Sequence, residues 1–190
     1  MSKLADYKVF EQVYANRSTL IQRARRLCDD QSVILRRVNN NFPTAKQLSR
    51  FTYSYELLKR FDHPNIIKVL DWIETDKSPV MILEDQAAID LKDHLENHPS
   101  KQLPIEHCLK IAIQLANALC EIHHERIIHK DLHPGNILIN PENETIQIID
   151  FGSSSLLSRE QPALNPPGQI QGVLDYISPE QTGRMNRGLD

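Results

Sequence analysis

The most constraining stretch of this chain is a pair of short apolar runs framed by polar clusters. Residues 136–140 read NILIN and residues 145–150 read TIQIID, separated by Pro141-Glu142-Asn143-Glu144. Alternating β-branched residues on both sides of a four-residue polar turn predict a β-hairpin. His129-Lys130-Asp131-Leu132-His133-Pro134-Gly135-Asn136 leads into it, and Asp150-Phe151-Gly152 leads out. The hairpin is expected to deliver Asn136 and Asp150 to opposite ends of one short ladder, where residues 14 apart can share one metal. Asp131, Asn136 and Asp150 are hard oxygen donors or proton acceptors, the side chains that phosphoryl chemistry uses.

Upstream, residues 7–38 come in three short apolar bursts, YKVFEQVY, STLIQRA and SVILRRV, which predict three strands. Phe42-Pro43-Thr44 opens a helical stretch to about Phe61, with Leu48, Phe51, Tyr55 and Leu58 at helical spacing. Asp62-His63-Pro64-Asn65 breaks it. IIKVLDWIE and PVMILE predict two more strands. After Glu84 the pattern turns helical, with a short helix from Ile89 to His98 and a long one from Pro104 to about His124. The long helix is apolar around much of its circumference and expects neighbours on several sides. Residues 153–172 are rich in Ser, Pro, Gln and Gly and read as a loop.

Composition narrows the class further. With 190 residues and 40% apolar content, the chain is long enough for one domain or two small lobes. Its net charge of −3 gives no general attraction to nucleic acid or anionic membrane. No apolar run approaches membrane-spanning length, and the first residues lack the apolar core of a signal peptide. The three cysteines have no C-x-x-C spacing, so buried or idle thiols in a reducing cytoplasm are expected. All six glycines fall at Gly135 or later.

HKDLHPGNILI followed by IIDFG resembles the catalytic-loop and metal-loop pair of protein kinases, H-R-D-L-x-x-x-N and D-F-G. Gly172-Val173-Leu174-Asp175-Tyr176-Ile177-Ser178-Pro179-Glu180 is similar to the segment that ends in A-P-E, and DHPNIIKVLDW to the turn after the first-lobe helix. The ending YISPEQTGRMNRGLD most resembles the kinase domain of large bacterial proteins that join a Ser/Thr kinase to a sensor histidine kinase. The resemblance implies an α+β, two-lobed fold: a small β-rich N-lobe over about 7–84 with one helix, a hinge at 85–90, and an incomplete helical C-lobe over 91–190 with an activation segment at 150–180. It implies ATP and Mg as cofactors and a protein Ser/Thr hydroxyl as acceptor, in cytoplasmic signalling. Asp131 becomes the catalytic base and Asn136 and Asp150 the metal ligands. Glu84-Asp85-Gln86 fall in the hinge that meets adenine through its backbone, Leu83 guards the pocket behind it, and Asp90 reaches a ribose hydroxyl or is an ordinary helix-face charge.

Several positions depart from the family pattern. The phosphate-covering G-x-G-x-x-G loop is replaced by Tyr14-Ala15-Asn16-Arg17-Ser18-Thr19-Leu20, which removes the close backbone cradle and leaves Arg17 and Ser18 as side-chain contacts. V-A-I-K is replaced by Val33-Ile34-Leu35-Arg36. Ile34 stands where a small residue faces adenine, and Arg36 either substitutes for the phosphate lysine or ends a solvated strand. The lysine's glutamate partner falls at Ser54, while Glu56 lies about 200° around the helix. Lys130 replaces the arginine of H-R-D, His133 a lysine near the transferred phosphate, and Val173 a threonine beside the catalytic Asp. A missing arginine partner for Glu180 and an uncovered helix at 111–122 imply self-association.

Three functional readings follow. One is a protein Ser/Thr kinase with weakened nucleotide grip. A second is a catalytically dead kinase that docks partners. A third is a small-molecule kinase of the aminoglycoside or choline type, whose H-G-D-L-H-x-G-N loop is similar to HKDLHPGN. Among smaller signals, His94 and His98 stand at a spacing zinc uses or share a solvated helix face, and Ser153, Ser154 and Ser155 are phosphate acceptors or plain loop serines.

Overall fold

The computed structural model describes residues 3–16, 19–40, 43–76, 78–100, 102–157 and 173–179. Arg17, Ser18, residues 158–172 and Glu180, on which several of these expectations fall, lie outside the described residues. The chain divides into two compact units. One comprises Met1–Asp62 with Ile67–Ala87, the other His63–Ile66 with Ala88–Asp190.

The first unit is a five-stranded antiparallel sheet with one helix. Its strands are β1 (Tyr7–Ala15), β2 (Thr19–Arg26), β3 (Ser32–Val38), β4 (Val69–Ile73) and β5 (Val80–Glu84), in the order β1-β2-β3-β5-β4. Period-two alternation sends Tyr7, Ala24, Val33, Leu35, Ile73, Val80 and Ile82 into one buried cluster. Helix α1 (Ala45–Leu58) begins with a capping box. Thr44 Oγ1 accepts from the Gln47 N–H (3.2 Å), and Gln47 Oε1 accepts from the Thr44 N–H (2.9 Å). Its buried side is Phe51, Ser54, Leu57 and Leu58, so the apolar stripe expected through Tyr55 is rotated slightly. Tyr55 instead stacks on Trp72 with ring centroids 4.4 Å apart.

The second unit carries β6 (Ile89–Asp90), α2 (Leu91–Asn97), α3 (Ile105–His124), β7 (Ile127–Ile128), β8 (Ile137–Ile139), β9 (Ile146–Ile148) and β10 (Ser155–Leu156). The helix expected from Ile89 starts two residues later, because Ile89 and Asp90 pair with Ile139 and Leu138 as an edge strand. Leu91, Ile111, Ile137, Ile139 and Ile146 form the core, with Leu95, Leu103, Leu115 and Leu132 against it. β10 pairs with β7, a two-strand ladder that the polar composition after Asp150 did not signal. Asn65, in the His-Pro-Asn turn, ties this unit together. Its Nδ2 donates to Gln114 Oε1 (2.8 Å) and the Ile146 carbonyl (3.0 Å), and its carbonyl accepts from the Ile148 N–H (2.9 Å).

On α3, Ile111, Ala118 and Ile122 are buried while Ile105, Leu109 and Ile113 are exposed. All three cysteines are exposed, which corrects the buried half of the expectation for them.

Candidate active site

The β8–β9 hairpin forms with Ile137 opposite Ile148 and Ile139 opposite Ile146. Antiparallel register therefore brings Asn136 and Asp150 to the same, open end of the ladder. The expectation of opposite ends was wrong, since the strand entering and the strand leaving a hairpin share its open end. The Ile149 N–H donates to the Asn136 carbonyl at 3.0 Å, closing that end directly.

Three polar groups are fixed around this end. Asn136 is buried, and its Nδ2 donates to the Asp131 carbonyl at 2.8 Å. That bond uses the amide nitrogen, so the side-chain oxygen is the atom of Asn136 that could meet a cation. Asp150 sits in the left-handed region (φ 63°), and its carboxylate accepts from the Gly152 N–H at 3.4 Å. Asn and Asp tolerate this conformation better than other side chains. Asp131 Oδ1 is buried and has no hydrogen-bond partner, an acceptor left open at a costly place.

His129 supports all three. It is 3% exposed, its Nε2 donates to the Ile149 carbonyl (2.9 Å), and its Nδ1 accepts from the Asp131 N–H (3.4 Å). Its ring meets Phe151 edge-on at 4.9 Å. Burial pushes its pKa below the usual histidine value, which agrees with one nitrogen donating and the other accepting. His129 thus holds the loop before β8 to the loop after β9 as a neutral strut. Sequence reading quoted it only as a motif letter.

His133 Nδ1 accepts from the Gly135 N–H (3.1 Å), and its Nε2 lies 3.8 Å from Asp131 Oδ1. A Cβ at Gly135 would meet that imidazole at 3.1 Å, so a side chain there requires the His133 ring to give by a few tenths of an ångström. Asp131, Lys130, Leu132, Val173, Tyr176 and Ile177 line one shallow depression. Val173 thus does stand with Asp131, as the sequence placed it. Asp90 caps α2, accepting from the Asp93 N–H at 2.7 Å, and burial raises its pKa. His94 and His98 have ring centroids 6.5 Å apart, and no group of three metal-ligating side chains occurs among the described residues.

In the first unit, register sets Ile34 opposite Leu83, Arg36 opposite Met81, and Ile21 opposite Arg36. Ile34, Arg36 and Leu83 therefore share one sheet face, the one opposite the Val33 and Leu35 cluster. Ser54 is buried with no partner for its hydroxyl, whereas Glu56 is exposed and lies 3.8 Å from Lys59. Asn16 and Thr19, which flank Arg17-Ser18, are bonded to one another, the Asn16 N–H donating to the Thr19 carbonyl at 3.0 Å. Asn16 Oδ1 accepts from the Thr19 N–H (2.7 Å), and the Asn16 carbonyl accepts from Asn39 Nδ2 (2.5 Å). The Thr19 N–H, which a glycine loop leaves for phosphate, is already engaged. Glu84 ends β5 and Gln86 lies two residues on, both half-buried, and between them lies Asp85, named with them as the hinge but with no role of its own.

The family model described as protein kinase domain matches residues 17–188. Serine/threonine-protein kinase 36 of Pongo abelii is 32% identical over 92% of the chain, which covers 13% of that protein. Wall-associated receptor kinase 3 of Arabidopsis thaliana is 32% identical over 77% of the chain and 20% of its own length. Serine/threonine-protein kinase pkn3 of Myxococcus xanthus is 31% identical over 84% of the chain and 30% of its own length. The chain spans less than a third of each of these relatives. It belongs to the protein kinase domain family, with an α+β fold whose homologues include Ser/Thr kinases. No helix among the described residues is long and apolar enough to cross a membrane.

Proposed function

We propose that this chain binds ATP with Mg²⁺ and transfers the terminal phosphoryl group to a Ser or Thr hydroxyl of a protein, as part of a signalling pathway. The observation that carries the reading is the buried, unpartnered Asp131 Oδ1 beside an Asn136 whose nitrogen is already bonded. An open carboxylate acceptor and an outward amide oxygen suit an incoming hydroxyl and a hard cation.

In this reading Asp131 orients the acceptor hydroxyl and takes its proton. Asn136 and Asp150 supply the oxygens that hold the metal, which when bound neutralises phosphate charge. Ile34, Leu83, Glu84 and Gln86 meet the adenine, and Arg36 stands in for the phosphate lysine. Asp90 is already used as the cap of α2, so its ribose role is the weakest of the set.

A docking module without turnover is the second reading, favoured by the self-closed turn at Asn16 and by Ser54 at the glutamate position. The test is thermal stability of the chain with and without Mg-ATP. A ligand at 100 times its dissociation constant adds about 2.7 kcal/mol. An upward shift at millimolar Mg-ATP is expected, and no shift contradicts nucleotide use. A docking module that retains nucleotide shifts as well, and only phosphate transfer separates it from an enzyme.

A further inference from the structure

Asp85 follows β5 directly, where an acid would ordinarily be solvated. Its side chain is 5% exposed. One oxygen, Oδ2, accepts from Ser32 Oγ at 2.7 Å and lies 2.8 Å from Arg23 Nε. The Arg23 contact is an ion pair whose Nε–H is not aligned as a hydrogen bond. The other oxygen, Oδ1, accepts from the Ala87 N–H at 3.0 Å. Arg23 continues to Glu11, its cross-strand partner on β1, at 2.5 Å.

Two consequences follow from this geometry. Ala87 has φ 52°, the left-handed region that alanine adopts only when something holds it there, and the Asp85 carboxylate holds it. The backbone from Glu84 to Ala87 is thereby fixed from both of its ends. Register also places Arg23 opposite Ile34, and Ile34 opposite Leu83. Ser32 alternates onto that same face. The Glu11–Arg23–Asp85–Ser32 chain therefore borders the sheet face that carries Ile34 and Leu83.

We infer that Asp85 is a positioning residue for adenine: it locks the peptide groups after β5 in the arrangement that reads the amino edge of the base. This rests on the nucleotide-binding reading above. In that reading the grip on the nucleotide moves from the phosphates, where the glycine cradle is missing, toward the base. The ligand class is an adenine nucleotide, distinguished from one that lacks the 6-amino group.

The test is titration of the chain with Mg-ATP and with Mg-ITP, for the parent and for Asp85→Ala, Asp85→Asn and Ser32→Ala. One well-placed hydrogen bond corresponds to a preference of about tenfold for ATP over ITP in the parent. Asp85→Ala collapses that ratio toward one. Asp85→Asn, which keeps an acceptor for Ala87, retains part of it, and Ser32→Ala gives a milder loss in a less demanding variant. A merely structural aspartate lowers the melting temperature or weakens both nucleotides equally, leaving the ratio intact. Persistence of the parent's ratio in Asp85→Ala and Ser32→Ala overturns the inference alone. A parent that binds neither nucleotide overturns the nucleotide reading and this inference together.

Discussion

Asn136 Nδ2 donates to the main-chain carbonyl of Asp131 at 2.8 Å, so one side-chain amide links the proposed base to the proposed metal ligand. The bond sets which end of the amide points outward. Asn136→Asp is therefore expected to damage the site even though a carboxylate is the stronger Mg²⁺ ligand. Its second oxygen would face the Asp131 carbonyl with no proton to offer. Leaving that half-buried carbonyl unpaired costs up to about 1 kcal/mol, the lower end for an unsatisfied group. Chemical denaturation of the variant checks the loss, and unchanged stability means that the bond does not hold the loop.

Asp150 stands at φ 63° and ψ 72°, so replacing it with alanine mixes loss of charge with backbone strain. Asparagine tolerates that region and removes only the charge. Asp150→Asn is expected to abolish the Mg-ATP stabilisation while leaving the melting temperature of the unliganded chain close to the parent's. Asp150→Ala is expected to lose both. Mg-ATP affinity surviving in Asp150→Asn means that this carboxylate holds no metal.

His129 is buried neutral, with its pKa below the usual value of 6.5 chiefly because burial disfavours the imidazolium. The unfolded chain takes up a proton near pH 6.5, and the folded chain resists it until a lower pH. Between those values the unfolded state binds more protons, so stability rises with pH across the window. The contribution is fully present above about pH 6.5 and is lost as pH falls toward the folded value. Nitrogen chemical shifts of the His129 ring are expected to report the neutral form with Nε2 protonated at pH 6.5. An imidazolium at that pH contradicts the strut.

Ser54 has a buried hydroxyl with no partner. Ser54→Ala is expected to be neutral or stabilising by about 1 kcal/mol, since an unpaired buried polar atom is removed. Ser54→Glu alone is expected to destabilise strongly by burying a charge. Combined with Arg36→Lys, it is expected to raise phosphate transfer. A double variant no better than Ser54→Glu alone means that these positions are not partners.

The first unit was legible because its signals are local. Alternation marks β1, β2 and β3, and Phe42-Pro43-Thr44 marks the start of α1. The catalytic loop was legible as a motif, though its geometry was not. The same-end placement of Asn136 and Asp150 follows from antiparallel register and was misjudged. Asp85 was legible only as part of the hinge triplet, because its side-chain partners Arg23 and Ser32 lie 62 and 53 positions away and meet it only through strand pairing. His129 and Asn65 are similar cases, polar residues whose buried bonds are made to carbonyls distant in sequence. Asn16 closing its own turn was also hidden, since absence of glycine reveals what is lost and not what replaces it.

The central claim is tested most directly by transfer of labelled terminal phosphate from Mg-ATP to a Ser/Thr-containing protein acceptor, comparing the parent chain with Asp131→Asn. The account predicts phosphoserine or phosphothreonine on the acceptor with the parent, and a loss of at least about a hundredfold with the variant, the scale of a general base. Equal transfer by both chains, or none by a parent that binds Mg-ATP, contradicts it.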